Sequence, residues 1–319
     1  MSQFRVLITD YAWPNLDIER RVLAEAGAEI VLPNSTSESD LVRAAQGVDA
    51  ILTNWAQTTS QVIAAAPDCR IVSRMGIGLD NIDVDYCTRH GIPVTNVPDY
   101  CLIEVAEHTL ALLLALGRNV AHYHWKTKEG EYRLQDGPPL RRLEGQTLGI
   151  IGLGQIGQRV ADKARCLGFN VLATGRTPKE AEGITWCSFE ELLERSDYVT
   201  LHCPLTPETR HLMGREQFAR MKPSAFLINT ARGGVVDHEA LTEALSQGEI
   251  AGAALDVQDP EPAPVDLPPY NHPAVLVTPH AAFVSEESLE DLRFRSATQV
   301  KNRLLGQTPE SVVNAVDLS

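Results

Sequence analysis

The 319-residue sequence has few of the features that would place it outside the ordinary globular class. Its longest apolar run, around Leu110–Leu116, falls well short of the ~18–20 residues that a membrane helix needs. Met1-Ser2-Gln3-Phe4-Arg5 leads straight into a strand-like run, so the charged and apolar regions of an export signal are not expected. The six cysteines, at 69, 87, 101, 166, 187 and 203, form no CxxC pair and no zinc-like spacing. They read as reduced thiols of a cytoplasmic protein, with no metal site. Basic residues are also short: 28 Lys and Arg against 42 Asp and Glu leave a net charge of −14. Such a surface repels nucleic acid and anionic lipid unless a basic patch intervenes. The longest such patch is Arg141-Arg142. No short repeat or low-complexity tract is visible.

What is present is a regular alternation. Val6–Ile8, Glu29–Leu32, Ala50–Thr53, Arg70–Ser73 and Ile92–Val97 read as strands, with helices over Asp17–Ala26 and Ser39–Ala45 between them. A long Ala/Leu-rich helix follows over Glu104–Leu116, and residues 119–142 look irregular and polar. A second alternation then has strands at Leu148–Leu153, Val171–Ala173, Tyr198–Leu201, Phe226–Ile228, Ala253–Leu255 and Val275–Val277. Its helices include Ile156–Leu167 and His238–Ser246, and a final helix spans roughly Glu287–Leu305. Strands separated by helices need parallel crossovers, so two doubly wound α/β units in tandem are expected.

The strongest motif is Gly149-Ile150-Ile151-Gly152-Leu153-Gly154-Gln155-Ile156-Gly157, a buried strand running through G-x-G-x-x-G into a helix. Gly152 permits the tight turn, Gly154 lets backbone approach a pyrophosphate, and Gly157 lets helix and strand pack closely. The helix N-terminus adds N–H donors for the anion. The next strand ends Thr174-Gly175-Arg176-Thr177, where an NAD site normally carries an acid. A carboxylate there would repel a 2′-phosphate, whereas Arg176 attracts it. Thr174 and Thr177 could add hydroxyls and Lys179 charge, so NADP(H) is expected over NAD(H).

Three further segments end strands with polar groups: Asn229-Thr230-Ala231-Arg232-Gly233-Gly234, Asp256 to Pro262, and Thr278-Pro279-His280-Ala281-Ala282. Open parallel sheets place ligands at those ends. Arg can hold a carboxylate, His can move the alcohol proton, and an acid can support a charged imidazole. That set suits hydride chemistry at a carbonyl.

With these segments the chain resembles a D-isomer-specific 2-hydroxyacid dehydrogenase. The resemblance rests on Gly149–Gly157, Asn229–Asp237, Gly252–Pro262, Thr278–His280 and the Arg74–Asp83 run, and it spans nearly the whole chain. Asn96–Tyr100 and Pro279–Leu292 look most like C-terminal binding protein and its bacterial relatives. Gly175-Arg176 is similar instead to NADPH-using glyoxylate/hydroxypyruvate reductases.

The resemblance implies a Rossmann dinucleotide-binding domain, residues 100–285, inserted in a flavodoxin-like substrate domain, residues 1–99 and 286–319. It implies Arg232 as the substrate-polarising arginine, His280 as acid/base and Glu261 as its partner, with Asp259 a nearby competitor. Gly76, Ile77 and Gly78 would clamp the substrate carboxylate, and Trp55 and Tyr100 could line its pocket. Asp256 would receive the nicotinamide carboxamide. Gln155 and Ile156 would lie over the pyrophosphate, and Cys203, Pro204 and the segment to Thr209 would flank the cofactor. Thr230, Ala231 and Ala282 would add contacts, and Thr109 would reach a phosphate. The other histidines, including His108 and His202, read as structural or surface residues.

The function so implied is reduction of small 2-oxo acids by a homodimer, with 119–142 as its arm. The alternatives are an NAD-linked phosphoglycerate-type dehydrogenase, although the chain has no room for the regulatory domain some of those carry, and a dinucleotide-sensing corepressor.

Overall fold

The computed structural model describes residues 3–135, 139–179 and 181–318; the outermost residues at each end, the 136–138 stretch of the 119–142 segment and position 180 lie outside them. The chain divides into two compact units, Met1–Tyr100 with Ser285–Ser319, and Cys101–Val284.

The first unit holds β1 (Phe4–Ile8), β2 (Ala28–Val31), β3 (Ala50–Thr53), β4 (Val72–Arg74) and β5 (Val94–Thr95), all paired in parallel in the order β2-β1-β3-β4-β5. This is the flavodoxin-like order. A parallel sheet must be covered on both faces, which is why β3 and β4 read as uninterrupted buried runs rather than alternating ones. Helices Asp17–Ala24 and Glu38–Ala44 lie within a residue or two of expectation. Helices Ser60–Ala64 and Val84–Arg89 were not expected, because one turn is too short to show a period. Their caps explain them: Thr59 accepts the Val62 N–H and Asp83 the Tyr86 N–H.

The final helix, Glu286–Leu304, belongs to this unit. Its Leu292, Ala297, Val300 and Leu304 bury with Phe4, Val6 and Leu23. Arg293 on that helix meets both oxygens of the fully buried Glu19 at 2.8 Å and lies over the Trp13 ring.

In the second unit the helix Leu102–Gly117 precedes β6 (Thr147–Ile151), β7 (Asn170–Thr174), β8 (Ile184–Trp186), β9 (Tyr198–Leu201), β10 (Phe226–Asn229), β11 (Gly252–Leu255) and β12 (Val275–Val277). The parallel order β12-β11-β10-β9-β6-β7-β8 is that of a dinucleotide-binding sheet with one added edge strand. The 119–142 segment differs from the irregular stretch expected, since Val120–Lys128 is helical. That helix buries no residue, so no apolar stripe marked it. Asn119, left-handed at φ 53°, separates it from the preceding helix.

Removing one partner of a buried ion pair strands the other charge. Arg293→Met should therefore lower unfolding free energy by about 3–5 kcal/mol in urea titrations, with most of it recovered in the Glu19→Leu/Arg293→Met double variant.

Candidate active site

The turn after β6 is built by its glycines. Gly152 is left-handed at φ 98°, and a methyl there would sit 2.7 Å from the His202 carbonyl oxygen. A methyl on Gly157 would collide with the Gly152 carbonyl. A methyl on Gly154 would meet open space. Folding therefore requires Gly152 and Gly157, whereas the room at Gly154 is not used by the protein itself. That room opens at the N-terminus of helix Gln155–Cys166, which has no side-chain cap. The cradle fits a dinucleotide pyrophosphate.

Thr174 at the end of β7 is buried, and its carbonyl accepts the Gly152 N–H at 2.9 Å. Its backbone anchors the turn, while Gly175, Arg176 and Thr177 are exposed. Lys179 donates to the Leu153 carbonyl at 3.0 Å. Glu208 is held below the usual carboxylate range by the Thr206 hydroxyl and, more weakly, by the Arg176 guanidinium.

After β9, His202 pairs with the Thr200 hydroxyl at 3.0 Å, and desolvation pushes its pKa down to about 4. Burial pushes the Cys203 thiol up to about 11, so it is not a thiolate at neutral pH. Thr209 donates to the Pro204 carbonyl at 2.6 Å and accepts the Thr206 N–H at 2.8 Å, which closes this loop on itself.

The chemistry-bearing segments leave the C-terminal ends of three adjacent strands, β10, β11 and β12. After β10, Asn229 ties the turn by accepting the Ala231 N–H and donating to the Arg232 carbonyl. Arg232 donates to the Ala231 carbonyl at 2.8 Å. Gly233 packs against the Gln258 carbonyl so closely that no side chain would fit, which presses the Arg232 turn onto the loop after β11. On that loop Glu261 accepts the Gln258 N–H through Oε1 and meets His280 Nδ1 at 2.8 Å through Oε2.

His280 itself has φ 53°, a left-handed backbone that costs a non-glycine residue roughly 1–2 kcal/mol. Asp256 enforces it. The Asp256 carbonyl accepts the His280 N–H at 2.7 Å, while its carboxylate accepts the Ala281 and Ala282 N–H groups at 2.9 Å and the Thr278 hydroxyl at 2.5 Å. Burial alone would raise this carboxyl's pKa, but donors from His108, Thr278, Ala282 and Ala281 outweigh it and hold it low.

Several residues expected at the site also make contacts within the protein. Thr109 is fully buried, donates to the Val105 carbonyl and lies 2.9 Å from the Thr230 hydroxyl. Ala282 is buried with its N–H committed to Asp256. Sequence reasoning set His108 aside, yet its Nε2 lies 3.1 Å from Thr278 Oγ1 and 3.4 Å from Asp256 Oδ1. No spacing could have found it, because those partners are some 150–170 residues away.

In the first unit, Gly76 is buried beside the Arg74 guanidinium, and its carbonyl accepts the Val97 N–H. Asn96 holds the Ile77 carbonyl at 2.8 Å. Trp55 is 42% exposed with its backbone N–H donating to Asp10, and Tyr100 packs on that unit's core. Among the described residues no group of His, Cys, Asp or Glu could hold a metal ion, and no helix is long and apolar enough to cross a membrane.

Comparison with known proteins follows this geometry. Residues 110–282 match the model of the D-isomer specific 2-hydroxyacid dehydrogenase NAD binding domain. The chain is 39% identical over 317 residues to the D-3-phosphoglycerate dehydrogenase of Methanocaldococcus jannaschii, covering 97% of this chain and 59% of that protein. It is 42% identical over 266 residues to the glyoxylate reductase of Korarchaeum cryptofilum, covering 80% of this chain and 79% of the relative. Among solved structures, Aquifex aeolicus D-lactate dehydrogenase, complexed with NAD and lactic acid, matches with TM-score 0.85 and 30% identity over 94% of this chain and 96% of that one. An acyclic imino acid reductase in complex with NADPH and D-Arg matches with TM-score 0.85 and 26% identity over 97% and 99%.

The environment of His202 has a measurable consequence. Its folded pKa of about 4 lies below the ordinary 6.5 of a free imidazole, so on acidification the unfolded chain takes up the proton first. Its share of stability is complete above pH 6.5 and declines as pH falls toward 4, by up to about 3 kcal/mol. Denaturant midpoints measured across that range should fall more steeply in the native protein than in His202→Asn.

Proposed function

Because the chain belongs to the D-isomer specific 2-hydroxyacid dehydrogenase family, we propose that it is a nicotinamide-dinucleotide-linked oxidoreductase. It interconverts small 2-oxo acids, of the glyoxylate or hydroxypyruvate type, with D-2-hydroxy acids. The observation that carries this reading is the 2.8 Å contact between His280 Nδ1 and Glu261, at the sheet edge that also bears Arg232.

The nicotinamide, when bound, exchanges a hydride with C2 of the substrate. The residues do the rest. His280 gives a proton to the carbonyl oxygen as C2 is reduced, from Nε2, since Nδ1 is taken by Glu261. Glu261 orients the ring through its contact with Nδ1. Arg232 stabilises the negative charge that develops on the oxygen before the proton arrives. Asp256 acts by shaping the 278–282 turn. We assign the Gly76–Gly78 amides of the first unit to the substrate carboxylate. Gly152, Gly154, Gln155, Ile156 and Gly157 hold the pyrophosphate at the helix N-terminus.

We further assign NADP(H) as the preferred nucleotide, because the exposed Gly175-Arg176-Thr177 end of β7 offers a guanidinium where a ribose-binding acid would stand. A homodimer is supported by the exposed Val120, Trp125, Leu134 and Leu140 on the 119–142 segment. The long match to D-3-phosphoglycerate dehydrogenase favours a second reading, oxidation of 3-phosphoglycerate with NAD. The chain spans only 59% of that relative.

A panel of 2-oxo acids, 3-phosphohydroxypyruvate included, assayed with both reduced nucleotides separates these readings. Turnover of glyoxylate or hydroxypyruvate is expected; no turnover of any member would refute the assignment. His280→Ala should lower kcat for reduction by roughly 10²–10⁴, and near-native kcat would remove His280 from the acid/base role. Arg176→Asp should reverse the NADPH-over-NADH ratio of kcat/KM, and a native preference for NADH would contradict the NADP assignment.

A further inference from the structure

One imidazole–phenol pair lies outside this machinery and touches the loop that carries Glu261. His238 opens the helix His238–Gln247, directly after its capping residue Asp237. Its Nδ1 lies 3.2 Å from the Asp259 carbonyl oxygen and 3.1 Å from the Tyr270 hydroxyl. Tyr270 is buried, with its ring edge-on to His238 at 5.5 Å. Its hydroxyl lies 3.4 Å from the Asp259 N–H, which donates to it, and 3.5 Å from the Asp259 carbonyl. Both backbone groups of Asp259 are thus engaged by two side chains from elsewhere in the unit.

The protonation of His238 follows from its surroundings. Its Nε2 is buried and meets no hydrogen-bond partner among the described residues. A proton there would be an orphaned donor, the costlier kind of unmet group. The ring proton therefore sits on Nδ1, shared between the Asp259 carbonyl and the Tyr270 oxygen. The ionisable groups that bear on His238 are Asp259, His211 and Asp237, with Tyr270 in contact, and burial keeps the ring neutral.

Glu261 is two residues beyond this clamp. Gln258 fixes the other side of the turn, donating through Nε2 to the Leu255 and Thr278 carbonyls and through its N–H to Glu261. The Asp259 carboxylate is tied separately to Arg210 at 3.6 Å. Each Tyr270 contact with Asp259 is long and individually weak, but with His238 they hold the two peptide groups that flank Asp259.

We propose that His238 and Tyr270 are positioning residues that hold the 259–261 turn, and with it the Glu261 carboxylate, against His280. The proposal rests on the reading of His280 and Glu261 as the acid/base couple. A misplacement of about 1 Å in such a couple can cost on the order of 10²-fold in rate.

The test is a double-mutant cycle on the full chain, with kcat for 2-oxo acid reduction, the Kd for NADPH and Tm measured for each variant. Tyr270→Phe and His238→Ala should each lower kcat about 10-fold, leaving the Kd for NADPH within about 2-fold. His238→Asn, whose amide nitrogen can replace Nδ1 as donor to the Asp259 carbonyl, should restore most of the loss. In a Glu261→Gln background the same substitutions should cost little more, because the carboxylate they position is already gone. Losses that add fully to that of Glu261→Gln, or no loss in Tyr270→Phe and His238→Ala, would overturn the positioning role while leaving the acid/base reading intact. An unchanged kcat in Glu261→Gln itself would overturn the reading beneath it.

Discussion

The candidate site depends above all on one buried carboxylate. Asp256 has no exposed surface, and its oxygens collect the Ala281 and Ala282 N–H groups and the Thr278 hydroxyl, with His108 alongside. Those bonds help offset the left-handed backbone of His280, whose imidazole meets Glu261. An unpaired carboxylate at such depth would be strongly destabilising. The same donors that make its burial tolerable also fix the turn, so burial and positioning are one arrangement seen from two sides.

The second constraint is close approach. At Gly152, Gly157 and Gly233 a single methyl would strike backbone, and these three contacts bring the ends of β6, β9, β10 and β11 into register. Gly154 is different in kind, since the fold leaves its space open. Within one motif, two glycines answer to packing and the third does not. Parallel strands make this possible, because every C-terminal end lies along the same edge and the loops leaving β10, β11 and β12 are neighbours by topology.

Much of this was legible beforehand. Fully buried strands such as Ala50–Thr53 and Tyr198–Leu201 announce themselves by mostly apolar, β-favouring residues between glycine and polar punctuation. The short elements did not. Helices Phe189–Arg195 and Arg215–Arg220 and strand β8 are too brief for a period to emerge, and helix Val120–Lys128 has no buried face to generate one. Burial too is invisible in the sequence: nothing around Thr109 announces that its hydroxyl packs against Thr230.

From residue order alone came the two α/β alternations and the glycine-rich turn, and the resemblance added Arg232, Glu261 and His280 as candidates, because each is written in contiguous residues whose chemistry is local. What tertiary structure decided was which groups act on them from a distance. His108 reaches Asp256 across 148 positions, and Tyr270 meets His238 across 32. Such pairings depend on how strands are ordered in a sheet and which loops then share an edge. That order is settled by burial summed over the whole unit, and no stretch of sequence a few residues long contains it.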